Sequence, residues 1–341
     1  MRHKQIDLLR FLGLSLIILA HIEPPEWLFR LRNFDVPMMV LVAGLSFAHS
    51  TGADSYLHYV WKRIKRLLLP VWIFLTVYFL VIWTFGLDME VLSLDRVVES
   101  YSLHKGIGYV WIIRIFLLVA LAAPFILKLD QKIASNRTYL LVLAAFYLGY
   151  EFLLHFTEPY AATPSGKLIS LYLYYGICYS LVFALGVRFQ RFTVGEFCLI
   201  FVAACLVHGS FGYIYYLDVG EIISTQETKY PPSAYYIFYA ILVSVVLWKA
   251  SPLLVKGVEM SRFVERTVMF VAQNSLWIYL WHIPFVSGLR DAEMNSFEKY
   301  LLVYSGALLM MAIQFYSVKY LLLPGVKSAP VRKNLKGLLT G

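Results

Sequence analysis

Charge is scarce in this chain. Only 15% of its 341 residues are Asp, Glu, Lys or Arg and 60% are hydrophobic, whereas a soluble domain sits nearer a quarter charged and half apolar. That balance excludes an ordinary soluble protein. Cysteine is scarcer still: Cys178, Cys198 and Cys205 are the only three, and all fall inside apolar runs. An odd number of thiols without metal-ligand spacing argues against a disulfide framework or a zinc site, so they read as packing residues. Low-complexity tracts, Gly/Pro-rich linkers and internal repeats are also missing, which leaves no place for a separate soluble domain.

What is present is a series of long apolar runs: Ile6–Ile22, Phe34–Thr51, Leu67–Leu87, Gly108–Leu127, Thr138–Phe156, Leu168–Val187, Phe197–Leu217, Tyr230–Trp248, Thr267–Leu289 and Tyr300–Val318. A helix needs about 20 apolar residues to cross a hydrocarbon core. Barrel strands need only about ten and alternate in polarity. The expected fold is therefore an all-α integral membrane protein of ten spans. One membrane domain would cover residues 1–325, with a short basic cytoplasmic tail at 326–341. The formal net charge of +9 would suggest nucleic acid in a soluble protein, but here it reports orientation. With the N-terminus inside, most basic residues, among them Arg2, Lys4, Arg10, Lys62, Arg63, Lys65, Arg66, Arg188 and Arg191, collect on the inner side. This is the positive-inside pattern, and it puts both termini in the cytoplasm. No small-residue cleavage site follows the first run, so it reads as a retained span and not a signal peptide.

Ionisable residues inside spans are expensive and mark functional hypotheses. The first run, "DLLRFLGLSLIILAHI", has Arg10 and His21 at its ends. Eleven steps of about 100° make about three turns, so the two share a helix face about 16 Å apart. Each also has a plain reading: Arg10 snorkelling to the interface, His21 packing. In "WKRIKRLLLPVW", Arg63 and Arg66 stand three apart and so project together. They mark either an ordinary positive-inside stop or an anion site, since arginine grips phosphate with a planar fork. Arg114 is set to pair with Asp35 or Glu151, or to hold substrate. His282 sits near the outer end of the ninth run, in a packing or catalytic role. His49, His155 and His208 read as structural. The 25 tyrosines fit an aromatic belt as well as sugar stacking.

Taken in order, these residues resemble the acyltransferase-3 family of integral-membrane acyltransferases. Arg10 and His21 match its Arg-then-His first helix, preceded here by Asp7-Leu-Leu. Arg63-Ile-Lys-Arg66 matches its basic pair. "RNFDVPMMVLVAGLSFAHS" resembles its second helix, with Val36-Pro37 and Gly44, although Met38-Met39-Val40 stand where aromatic residues are common. "NSLWIYLWHIPF" resembles its late helix, with Tyr279, His282 and Pro284. The resemblance covers nearly the whole chain, and no hydrolase-like domain follows it.

The resemblance implies an O-acyltransferase of the bacterial cytoplasmic membrane. It would move an acyl group, most often acetyl, from cytosolic acyl-CoA to a hydroxyl of a surface polysaccharide or its lipid-linked precursor. His21 would be general base, its unperturbed pKa near 6.5 suiting neutral pH. Arg10, Arg63 and Arg66 would bind the donor phosphates. Asp35, Arg114, Tyr279 and His282 are the supporting candidates, with Asp35 the nearest carboxylate by topology. Acyl-CoA enters as co-substrate, with no tightly bound cofactor and no metal; the lipid bilayer and a glycan acceptor are the partners. Two rivals differ in class. A glycolipid or anion transporter would often show internal symmetry, and a glycan polymerase would carry a large basic outer loop.

Overall fold

The computed structural model describes residues 3–49, 55–161 and 163–341. It is 82% helical, with no strand among the described residues, so the backbone is hydrogen-bonded within each segment, as hydrocarbon demands. The helices are α1 (Lys4–Ala20), α2 (Glu26–Leu31), α3 (Asp35–Ala48), α4 (Tyr56–Phe85), α5 (Leu94–Tyr101), α6 (Trp111–Lys132), α7 (Asn136–Ala161) and α8 (Pro164–Ile169). They continue with α9 (Tyr175–Arg188), α10 (Val194–Val219), α11 (Ala234–Glu259), α12 (Arg262–Gln273), α13 (Ser275–Gly288), α14 (Ser296–Ser317) and α15 (Ala329–Thr340).

Among the described residues, eight helical stretches are long and apolar enough to cross a membrane, by length and composition. They correspond to eight of the ten runs expected from sequence. The other two runs are shorter as helices. The first gives α1, 17 residues long: two prolines, Pro24 and Pro25, follow it, and proline cannot extend a helix. The ninth is broken at Asn274 into α12 and α13, the latter of 14 residues. There the Asn274 side-chain amide donates to the Phe270 carbonyl at 2.7 Å, the kind of local bond that competes with helix continuation. Ser50 and Thr51, which end the second expected run, and Arg2, counted for the inner face, lie outside the described residues.

The chain forms two compact units. The first comprises Met1–Gly13, Glu26–Ala53 and Leu118–Arg262. Its centre is the pairing of α3 with α9, made close by two glycines. A methyl group at Gly44 would stand 2.2 Å from the Phe183 carbonyl oxygen, and one at Gly186 2.1 Å from that of Leu41. Each glycine thus admits the other helix's backbone, the small-residue mode of association that membranes favour. At the end of α9, Arg188 is buried and fully engaged. Its Nε donates to Asp130 at 2.7 Å and Nη1 to the Ser135 carbonyl at 3.1 Å. Nη2 donates to the carbonyls of Asp130 and Ile133, and the Tyr139 ring covers the guanidinium at 4.0 Å. Arg191 binds the same carboxylate. Arg188 therefore closes the end of α6 and the turn into α7. Removing one partner would strand a buried charge, at a cost of about 3–5 kcal/mol. Cys178 is buried in this unit, whereas Cys198 is exposed.

The second unit comprises Leu14–Pro25, Asp54–Leu117 and Phe263–Gly341. Here α13 packs on α14 and α4. Trp281 Nε1 donates to Gln314 Oε1 at 2.6 Å, and Trp277 Nε1 to the Leu338 carbonyl at 2.9 Å. Leu338 belongs to α15, so within the stretch expected as a short basic tail Ala329–Thr340 form a helix docked on this unit. The second half of α1 is held by α14: Tyr300 donates to the Ser15 carbonyl at 3.2 Å, and the Tyr304 and Ser15 hydroxyls are 3.0 Å apart.

The glycine contacts carry a stability prediction. Gly44→Ala and Gly186→Ala meet backbone that cannot rotate away, so each should destabilise by about 1–3 kcal/mol and lower the melting temperature in detergent by several degrees. Gly149→Ala and Gly209→Ala, with nothing within 4 Å, should leave it unchanged or raise it. Equal melting of all four variants would show that close α3–α9 approach does not hold the unit together.

Candidate functional site

His21 follows directly on α1. Its amide and that of Ile22 bond back to the carbonyls of Ile18 and Leu19, at 3.0 and 3.4 Å. These three-residue turns tighten the helix end. Glu23 then takes a left-handed conformation, φ 55°, uncommon for any residue but glycine. Ser296, opening α14, donates to the Glu23 carbonyl at 3.0 Å and secures that turn. The strained corner therefore sets where the imidazole stands.

On α13, His282 is fully buried. Its Nδ1 bonds the Tyr279 carbonyl, which can only accept, so Nδ1 carries the proton. In the neutral ring Nε2 is then an acceptor. That atom lies 2.8 Å from His21 Nδ1, so His21 Nδ1 must donate, and the lone pair of the His21 ring falls on its own Nε2. The two ring planes are 20° apart, with centroids at 5.0 Å, which suits an in-plane N–H···N bond. The arrangement fixes tautomer and orientation in one step, which a general base requires.

The His21 ring lines a cleft of about 60 Å³ with Glu23, Tyr109, Arg290 and Lys299, over an apolar floor that includes Ile22, Val286 and Val303. That volume admits a few waters or one small group. Tyr109 comes from the turn before α6, which needs Gly108 at φ 85°, and presents its ring edge-on to His21 at 4.9 Å. The Tyr279 hydroxyl donates to the Tyr109 carbonyl. Arg290 lies just beyond α13, and interaction with the Tyr109 hydroxyl holds its guanidinium pKa above the ordinary value. Lys299 Nζ donates to the Arg290 carbonyl at 3.2 Å. All these groups belong to the second unit. Among the described residues no group of three or more His, Cys, Asp or Glu is gathered as metal ligands.

Of the residues singled out from sequence, His21, His282 and Tyr279 come together here. Arg63 and Arg66 are in the same unit on α4, Arg66 exposed and the Arg63 guanidinium 4.9 Å from the Tyr59 ring centre. Arg114 is buried, and its Nη1 donates to the Leu103 carbonyl at 2.9 Å. Arg10 and Asp35 belong to the first unit. Arg10 Nη2 donates to Ser46 at 2.6 Å and Nη1 is 3.5 Å from Asp7. Asp35 is paired with Arg32 at 2.7 Å. Glu23, Tyr109, Arg290 and Lys299 are additions that sequence reasoning missed. The signal available for Glu23 was a carboxylate two residues past His21, just before two prolines.

A family model described as an acyltransferase domain, acyltransferase-3, matches residues 3–317 of the chain. No curated protein and no solved structure matches it.

The hydrogen-bond chain predicts a specific tautomer. In protein with ¹⁵N-labelled histidine, near neutral pH, His21 should show a protonated Nδ1 and an unprotonated Nε2. His282→Leu should shift the His21 signals toward a tautomer mixture, and His282→Gln, which keeps an acceptor, should shift them less. Identical His21 signals in all three proteins would mean that His282 does not orient the ring.

Proposed function

We propose, from the premise that the chain belongs to the acyltransferase-3 family, that it transfers an acetyl group from cytosolic acetyl-CoA to a hydroxyl of a bacterial surface polysaccharide or its lipid-linked precursor. The observation that supports this reading is the His21–His282 hydrogen bond, which would orient His21 as a base beside the cleft lined by Glu23, Tyr109, Arg290 and Lys299. The chain would cross the cytoplasmic membrane ten times with both termini inside. α1, about 26 Å long at 1.5 Å per residue, and the broken α12–α13 run would be the shorter crossings.

In the proposed step, the acceptor hydroxyl gives its proton to His21 Nε2 as its oxygen attacks the thioester carbonyl. The new C–O bond forms, the C–S bond breaks, and the CoA thiolate leaves and takes the proton from the imidazolium. His282 is a positioning residue that holds Nδ1 while the charge comes and goes. Its role resembles that of the carboxylate in a hydrolytic triad, with a neutral acceptor in place of a charged one. Tyr109, Arg290, Lys299 and Glu23 would hold the acceptor by hydrogen bonds. At the inner end of α4, Arg63 and Arg66 would receive the CoA phosphates, for which arginine's fork is suited; Arg10, on α1, is a further candidate for donor binding.

Two outcomes test this. In sealed right-side-out vesicles loaded with acetyl-CoA, an externally added acceptor glycan should be esterified. His21→Ala should lower that rate at least about 10²-fold, the lower range for a general base, in a variant that inserts and melts normally. A rate within a few-fold of wild type would remove His21 from the chemistry.

The donor end is tested separately with purified protein. Arg63→Ala and Arg66→Ala should each weaken acetyl-CoA binding more than binding of the dephospho form if they grip the 3′-phosphate. Equal losses would move that contact elsewhere, and unchanged binding would leave the pair an orientation signal only.

A further inference from the structure

Beyond residue 317, where the family match ends, the second unit carries a cationic helix that the acyl-transfer site does not use. From Tyr300 to Gly341 the chain has five Lys or Arg and no Asp or Glu. Three of the five, Arg332, Lys333 and Lys336, lie on α15 and are exposed. At about 100° per residue they share an arc of about 100°. Leu335, Leu338 and Leu339 fall outside that arc and are half-buried, so the helix docks by its apolar face and turns its basic one outward. Both of its ends are tied down. The Leu338 carbonyl accepts from Trp277 Nε1 at 2.9 Å and that of Leu339 from Gln314 Nε2 at 2.5 Å. At the other end Arg332 Nη2 donates to the Val326 carbonyl at 3.0 Å.

The neighbours of α15 set its depth. The helical stretch Ser296–Gly325 has 30 residues, about 45 Å at 1.5 Å each, whereas the hydrocarbon core is about 30 Å thick. Even at the usual tilt of about 20°, its last turns stand in the headgroup layer. Tyr316 and Tyr320, exposed and stacked with centres 6.0 Å apart, mark that level, since tyrosine collects where hydrocarbon meets water. α15 packs on Val318–Leu322, in the same turns. Its cations are thus held at the depth of the lipid phosphates.

Arg332 and Lys336, four residues apart, repel each other, and no carboxylate on α15 offsets them. A compact soluble polyphosphate is gripped by donors that converge in a pocket. Here the cations are spread along one exposed face, which suits several separate phosphates side by side. We propose that the outward face of α15 binds the headgroups of anionic phospholipids and so fastens this end of the second unit to the membrane surface. This surface stands apart from the acyl-transfer site, and binding at it is measured without turnover.

For the test, the full chain in an uncharged detergent is titrated with dioctanoyl phosphatidylglycerol or dioctanoyl phosphatidylcholine while its melting temperature is followed. The anionic lipid should raise it, and the zwitterionic one should not. A cation beside a charged lipid surface contributes about fivefold in affinity. Lys333→Gln/Lys336→Gln should therefore bind phosphatidylglycerol about 25-fold more weakly, and the wild-type affinity should fall as salt is raised. Both positions are exposed and glutamine is a good helix former, so this variant should melt like wild type without lipid. If it does not, either single substitution, with its fivefold loss, decides the matter. Glycerol phosphate, the same kind of anion without acyl chains, should not reproduce the rise at matched ionic strength. Equal responses to the two lipids, an unchanged affinity in the substituted chain, or a rise with glycerol phosphate that the substitutions abolish would overturn the proposal.

Discussion

In hydrocarbon no water is at hand to satisfy a polar atom, so each one must find its partner inside the protein. The most deeply buried ionisable groups answer this in different ways. Four of the N–H groups of Arg188 are taken by a carboxylate and three carbonyls, with a tyrosine ring over its face. A group so fully used is a fastener. His282 is also wholly buried, yet it is one link in a chain: carbonyl, imidazole, imidazole. Each link dictates the next proton's position, because the carbonyl at the start can only accept. The chain ends on a nitrogen lone pair of a ring that lines a cleft. A relay of this kind is how an apolar interior can hold an imidazole in a fixed orientation through neutral groups.

That neutral support has a chemical consequence. A carboxylate beside an imidazole favours the protonated ring before substrate arrives, whereas a second neutral imidazole orients without adding charge. In the acyl transfer proposed above, a proton taken up by His21 would then be a transient load, to be passed to the departing thiolate. Tyr109 links His21 to the rim of the cleft: its ring stands edge-on to His21, and its hydroxyl raises the Arg290 pKa.

Much of this was legible in the sequence, and the failures have physical causes. Span length and hydropathy are local properties, so eight of the ten expected runs reappear as helices of crossing length. The exceptions turn on single residues that an average over a run conceals, the proline pair after His21 and the amide of Asn274. The histidines stood out because a titratable ring in an apolar run is rare, but their pairing spans 261 residues and no period or motif encodes it. Glu23, Tyr109, Arg290 and Lys299 sit in turns or at helix starts, where charge and aromatics are ordinary. Asp35 was attractive as the acid nearest in topology. Its position at a helix start, three residues from Arg32, was the better guide, since that spacing sets an ion pair.

Basic residues show why counting cannot replace geometry. Arg63, Arg66, Arg188 and Arg191 contribute alike to a positive-inside tally, and the tally rightly treats them alike, because orientation depends on where charge lies and not on what it binds. Their environments then divide them. Arg188 has given four of its N–H groups to Asp130 and three carbonyls. Arg66 is exposed, three residues from a second arginine, with like charge beside it. Two guanidiniums brought together on one helix face repel each other, and an anion between them would turn that repulsion into shared attraction.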